Sequence, residues 1–270
     1  MDTPKLTFFC ELDAPSLEHF FADPQIILDL QSMHAAVSLG IIDLTVQRAA
    51  VVRRLTEANI PVTAWLLLPK DQGYWFNLDN APAAVERYRC FCEWMVKENL
   101  SFAGVGLDIE PDLGEMMRFT QKPAETALNI LRETLNARRL RNAREIYQSL
   151  IAEIHRDGFA VETYQFPVIV DERIIGSTLV QRLLGVLDLH ADREVLMLYS
   201  SFMGRFGTGI LASYASNAGG IGIGSTGGGV EIEGALPLDH LTGETLSRDL
   251  RLVLDQRKPI YIFSLEGCAQ

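Results

Sequence analysis

The chain has 270 residues, 48% hydrophobic and 22% charged, and its 24 basic against 35 acidic side chains leave a formal charge of −11. With a mean hydropathy of +0.10, this composition excludes intrinsic disorder and supports a sizeable core, in a length that suits two modest domains or one large α/β domain. The acidic excess repels phosphate backbones and anionic lipid heads, so neither nucleic acid nor a membrane surface is expected as a partner.

The first residues place Asp2 ahead of only a short apolar run, and no later stretch reaches the roughly 18 apolar residues of a membrane span. A cytoplasmic chain is expected. Cys10, Cys90, Cys92 and Cys268 are too few and too scattered for a disulfide framework, so free and mostly buried thiols are expected. The histidines, at 19, 34, 155, 190 and 240, are too far apart for a local metal motif. No metal and no cofactor is expected.

Short apolar runs of strand length follow one another along the chain: Leu6–Leu12, Ala35–Ile42, Val62–Leu68, Ala103–Ile109, Phe159–Tyr164, Val195–Tyr199, Gly220–Gly224 and Ile260–Leu265. Helical periodicity fills the intervals, as in Ala83–Asn99 and the long Ala124–Arg156. Turn signals such as Asn59-Ile60-Pro61 and Asp157-Gly158 precede the next strand. The basic run Arg132–Arg144 is interleaved with Glu133, Leu135 and Leu140 and reads as a solvated helix face.

Eight strand runs with helical crossovers predict an α/β fold, a (β/α)8 TIM barrel forming one domain over residues 1–270. An open doubly wound sheet is the alternative, but the first strand lacks the glycine-rich turn of a dinucleotide fold. In a barrel, chemistry belongs to the carboxyl ends of the strands.

The fourth run, Phe102-Ala-Gly-Val-Gly-Leu-Asp-Ile-Glu110, assigns its own faces by alternation. Val105, Leu107 and Ile109 are expected to face the helices, and Gly104, Gly106, Asp108 and Glu110 the barrel axis. Two like charges one pleat repeat apart raise the pKa of one of them, which suits a general acid near neutral pH. Glu110 is the candidate proton donor and Asp108 its supporting carboxylate.

Phe102 to Glu110 resembles the fourth-strand signature of the family 18 glycoside hydrolases, the chitinase-type barrels, whose pattern is Phe-Asp-Gly-x-Asp-x-Asp-x-Glu. Gly104, Asp108 and Glu110 match, while Ala103 and Gly106 stand where the pattern has its first two aspartates. Met197-Leu198-Tyr199 resembles that family's sixth-strand Met-x-Tyr, with Ser200 in place of the usual aspartate. Phe263-Ser264-Leu265-Glu266 resembles its eighth-strand Trp-Ser-x-Asp, with Phe263 for tryptophan. The resemblance implies Glu110 as proton donor, Asp108 supporting the substrate's acetamido group and Tyr199 binding its oxygen. It also implies substrate-assisted hydrolysis needing no carboxylate nucleophile. The missing acids at 103 and 106 imply altered or absent activity.

Further inward polar groups are expected from Glu11 on the first strand, Glu162 and Tyr164 on the fifth, and Glu266 after the eighth. If one of these stands across a sugar from Glu110, a two-carboxylate mechanism becomes available, and Glu162 is the strongest second catalytic candidate. Tyr74 and Trp75, in the loop after the third strand, offer rings for sugar stacking or for packing at the mouth, and Phe263 offers another. The glycine-rich stretch 219–229 after the seventh strand suits either close approach of backbone amides to a phosphate or a tight bend in the wall.

The sequence therefore favours hydrolysis of a small carbohydrate or glycoside. The alternatives are a lyase or isomerase for a phosphorylated metabolite, and a carbohydrate-binding barrel without activity. Sugar, linkage, anomeric outcome and oligomeric state are left open.

Overall fold

The computed structural model describes residues 5–111, 137–229 and 239–269. Eight parallel strands close into a barrel in chain order: β1 (Leu6–Cys10), β2 (Ala36–Ile41), β3 (Val62–Leu66), β4 (Gly104–Asp108), β5 (Ala160–Gln165), β6 (Arg193–Met197), β7 (Gly220–Gly224) and β8 (Ile260–Phe263). The expected (β/α)8 barrel is the observed fold. The β8–β1 ladder, with Thr7 opposite Tyr261 and Phe9 opposite Phe263, excludes an open sheet. Strands β1, β3, β6 and β8 each stop two residues before their apolar runs end, because the chain there leaves the ladder to build the mouth.

Helices cover the outside. The helix expected from Ala83 starts at Ala81 and ends at Lys97; its early start is helped by Pro82, which has no N–H to leave unpaired in a first turn. A second spans Ala137–Arg156 and buries Leu140, Ala143, Tyr147, Leu150, Ile151 and Ile154, three or four residues apart. The rest of the helix expected from Ala124 lies outside the described residues. The basic run is only partly a solvated face: Arg138 and Arg141 are exposed, but Arg139 pairs with Asp79, and Arg144 donates to Gln181 Oε1 at 3.3 Å.

Strict alternation produces two apolar regions. Val37, Leu39, Val105, Leu107, Ile221 and Ile223 point outward into the layer beneath the helices. Phe9, Trp65, Tyr164, Val195, Met197 and Tyr261 fill the barrel itself. Large rings fit inside because facing positions are glycine: a Cβ at Gly220 would lie 2.8 Å from Tyr261 Cε2.

A polar floor closes the amino-terminal end. Glu162 Oε1 accepts from Arg193 Nη1 at 2.7 Å and from Tyr261 Oη at 2.6 Å. Tyr164 Oη lies 3.3 Å from Glu162 Oε2 and 2.7 Å from Ser38 Oγ. All four cysteines are free, but only Cys10 is buried, so the expectation of mostly buried thiols holds for that one alone. Among the described residues no helix is long and apolar enough to cross a membrane, and no cluster of His, Cys, Asp or Glu has metal-binding geometry.

Candidate active site

The end of β4 is fixed from both sides. Phe76 N donates to Asp108 O at 3.0 Å and Glu110 N to Phe76 O at 3.1 Å, while Ile109 N donates to Tyr164 O at 3.1 Å. Segment 74–77 thus extends the sheet beside β4, and the strand's alternation carries one residue pair beyond its last ladder position. Ile109 is buried in the outer layer, and the neighbouring Asp108 and Glu110 turn inward.

Asp108 is 1% exposed. Its Oδ2 accepts from Trp65 Nε1 at 3.0 Å, and the buried carboxyl also shares a side-chain hydrogen bond with Glu110. Burial holds the Asp108 carboxyl well above the usual carboxylate range, and the charges of Glu110 and Glu11 push it the same way. Glu110, half-buried, is pushed up to about 7 by burial, partly offset by its contact with Asp108. The pair therefore has the electrostatics of two carboxyls that resist ionising together.

Glu11 follows β1 and is 8% exposed. Tyr74 Oη donates to Glu11 Oε1 at 2.5 Å, from a backbone held in the left-handed region at φ 63°. Burial and the adjacent Glu11 carboxylate raise the Tyr74 phenol far above its ordinary value, so it remains a donor. Tyr199 is half-buried, and its phenol is likewise raised, first by burial and then by the charges of Glu110, Asp108 and Glu11. Its ring stacks on Phe263, 5.7 Å between centroids at 26°. Phe263 in turn meets Trp65 edge-on at 6.3 Å. Glu11, Asp108, Glu110, Tyr199 and Phe263 thus share the carboxyl end of the barrel.

Other expected site residues lie elsewhere. Glu162 and Tyr164 belong to the floor: Glu162 pairs in register with Gly106, one pleat repeat below Asp108, and faces Arg193 and Tyr261. Glu266 is held behind the β1 terminus, where its Oε1 accepts from Glu11 N at 3.2 Å and its Oε2 is buried without a partner. It lines a groove of about 530 Å³ with Leu12, Pro15, Ser16, His19 and Phe20. Burial raises the Glu266 carboxyl. Trp75 is 7% exposed and packs against Tyr74 at 5.4 Å, which makes it part of the wall.

The glycine-rich stretch turns sharply at Gly227, Gly228 and Gly229, all at positive φ. A Cβ at Gly228 would lie 2.6 Å from Glu266 Oε1, and one at Gly229 would lie 2.6 Å from Phe263 Cζ and 3.0 Å from Glu11 Oε2. These glycines let the loop close over acids and a ring. Residues 230–238 lie outside the described residues.

Trp65, which donates to Asp108, is the side chain at this end of the barrel that motif reading missed. Its signal was present in the alternation Thr63, Trp65, Leu67, which aims the indole inward from the strand beside Asp108.

No family model matches the chain, and no curated protein matches it. Among solved structures, the HMG-CoA lyase from Brucella melitensis is similar, at 11% identity over 98% of this chain and 81% of that one, with a TM-score of 0.41. None of these comparisons ties the chain to the family 18 glycoside hydrolases.

Proposed function

We propose that this barrel hydrolyses glycosides, with Glu110 as the general acid. The observation that carries the proposal is the inward Asp108–Glu110 pair at the carboxyl end of β4, in which Glu110 is pushed up to about 7. A glutamic acid of that strength is protonated in part at neutral pH; it gives its proton to the leaving oxygen as the glycosidic bond breaks, then takes one from the water that adds to the anomeric carbon, which restores the acid. Burial keeps Glu110 protonated, while Asp108, fixed by Trp65, lies against it and moderates that rise. Tyr199 donates to a ring substituent, and Phe263 lies against the sugar's apolar face. The free thiols agree with a reducing compartment, and a small cytoplasmic glycoside is the proposed substrate class.

Among the described residues the charged groups found against Gly228 and Gly229 are Glu266 and Glu11, so the glycine-rich loop gives no support to the phosphorylated-metabolite alternative. The test uses aryl glycosides in both anomeric forms. Glu110→Gln is expected to lower kcat/KM by roughly 10²–10⁴-fold with an unchanged circular dichroism spectrum. The loss should be smaller for dinitrophenyl leaving groups, which depart without a proton. Full activity in the variant removes Glu110 from the mechanism; binding without turnover by the wild-type protein makes the barrel a carbohydrate-binding module.

A further inference from the structure

Exposed apolar surface is unevenly spread over the barrel. Of the fourteen large apolar residues exposed among the described ones, eight fall between Ile174 and Phe206, in the connections that follow β5 and β6. They belong to the helices Val168–Ile175 and Leu179–Leu184 and to the 3-10 turns Ser200–Phe206. These elements are tied together. Glu172 of the first helix accepts from Val180 N at 2.7 Å and Gln181 N at 3.0 Å of the second, and Asp171 accepts from Tyr214 Oη of the helix Gly207–Tyr214 that continues the turns. Between them runs a groove of about 540 Å³, lined by Val170, Asp171, Ile174, Phe206, Ile210 and Tyr214.

Exposed by 38–74%, the eight apolar residues offer on the order of 800 Å², more than the largest apolar patch of a typical monomer and as much as one partner gives to a standard interface. Charge also sets this face apart. Residues 168–214 hold five acids against four arginines, whereas the whole chain carries −11, so a second copy meets least repulsion here. Arg173 is taken up by Asp188 and Glu194. Arg205, by contrast, is exposed, packs on Phe206 at 4.8 Å to the ring centroid and has no carboxylate partner among the described residues. Asp171, exposed in the same groove, takes a bond from the Tyr214 phenol and has acceptor capacity left.

We propose that a second copy of this chain covers the groove, in a twofold dimer in which Arg205 of each copy meets Asp171 of the partner subunit. A twofold interface uses the same patch on both copies, so a cation and an acid beside one groove pair reciprocally and each ion pair forms twice. The exposed Ile174, Ile175 and Phe206 then lose their contact with water, which drives the association, while the charges at the rim set its register. A lipid surface suits the face less well, because the acid Asp171 stands in the groove and the chain's −11 opposes anionic headgroups. The dimer is independent of the reaction proposed for the barrel mouth.

Analytical ultracentrifugation of the full chain across a wide concentration range tests this. The expected species has twice the 30.1 kDa of one chain, with a dimer Kd in the micromolar range or below. Arg205→Asp and Asp171→Arg, each placing like charges across the axis, should weaken the dimer at least about tenfold, and both changes in one chain should restore it to within a few-fold of wild type. Phe206→Ser should weaken it without touching either charge. All four positions of change are exposed in the monomer, and unchanged circular dichroism confirms that each variant folds. A wild-type chain that stays at monomer mass at about 100 μM, well above that Kd range, overturns the proposal. So does a dimer indifferent to all the variants, which would use another face, and so does loss in both charge variants without recovery in the double one. A monomer that co-sediments with phosphatidylcholine vesicles would give the face to a membrane and overturn it too.

Discussion

The hydroxyl of Tyr164 occupies the space beside Gly106 that any side chain there would need: a Cβ at Gly106 would lie 2.5 Å from Tyr164 Oη and 2.7 Å from its Cε2. The position at which the chitinase-type signature has its second aspartate is therefore filled from the neighbouring strand by a phenol bonded to Ser38 and Glu162. Asp108 consequently has the Trp65 indole as its anchor, and no carboxyl partner from position 106.

Gly106→Ala is expected to cost about 1–3 kcal/mol, because the ring cannot retreat from a packed interior without leaving its rotamer. Gly106→Asp should cost more, adding a buried charge to the collision. Urea denaturation measures both. In a cycle with Tyr164→Ala, the double variant should lose less than the sum of the singles; strict additivity would show that the two positions do not compete for space.

A carboxyl raised by folding loads stability onto the acid side. The unfolded chain loses the Glu110 proton near an ordinary pKa of about 4.3, whereas the folded chain keeps it up to about 7. Between these values the native state binds more protons, so its stability falls as pH rises through the window and levels off above it. Asp108, raised in the same direction, adds to the slope. Glu110→Gln should flatten the Tm profile across that window. For a general acid, kcat/KM should also decline above about pH 7. A profile rising through neutrality would assign Glu110 the opposite protonation state.

The barrel was legible because strand period and helix period alternate in the sequence, and alternation alone put Asp108 and Glu110 on the axis. It was weaker at depth. Glu162 and Glu11 both read as inward acids on their strands, yet one lies in the floor against Arg193 and the other at the mouth against Tyr74. Depth depends on the stagger between strands: Asp108 pairs with Tyr164, which puts Glu162 a full repeat lower, and no local pattern encodes that offset. Glu266 misled for a related reason. It is the second residue of a short helix capped by Ser264, and the helix swings its carboxylate behind β1, away from the axis.

Glu162 should then behave as a structural residue. Its carboxylate is 11% exposed and takes bonds from Arg193 and Tyr261, so Glu162→Gln leaves a guanidinium and a phenol poorly matched. A stability loss of about 1–3 kcal/mol is expected, with kcat/KM on aryl glycosides within a few-fold of wild type at temperatures where the variant stays folded. A large fall in kcat with unchanged Tm would return Glu162 to the reaction.

Phosphate should not stabilise this protein. The φ-positive glycines Gly228 and Gly229 bring the backbone to within contact of Glu266 and Glu11, and an anion placed there would meet two carboxylates. A ligand at a hundred times its Kd would add about 2.7 kcal/mol to the folded state, a shift easily read in a melting curve. Inorganic phosphate and sugar phosphates are expected to leave Tm where it is, at low ionic strength where any attraction would be strongest. Stabilisation by sugar phosphates, with none from neutral or amino glycosides, would move the chemistry to the glycine-rich loop and reverse the assignment made for β4.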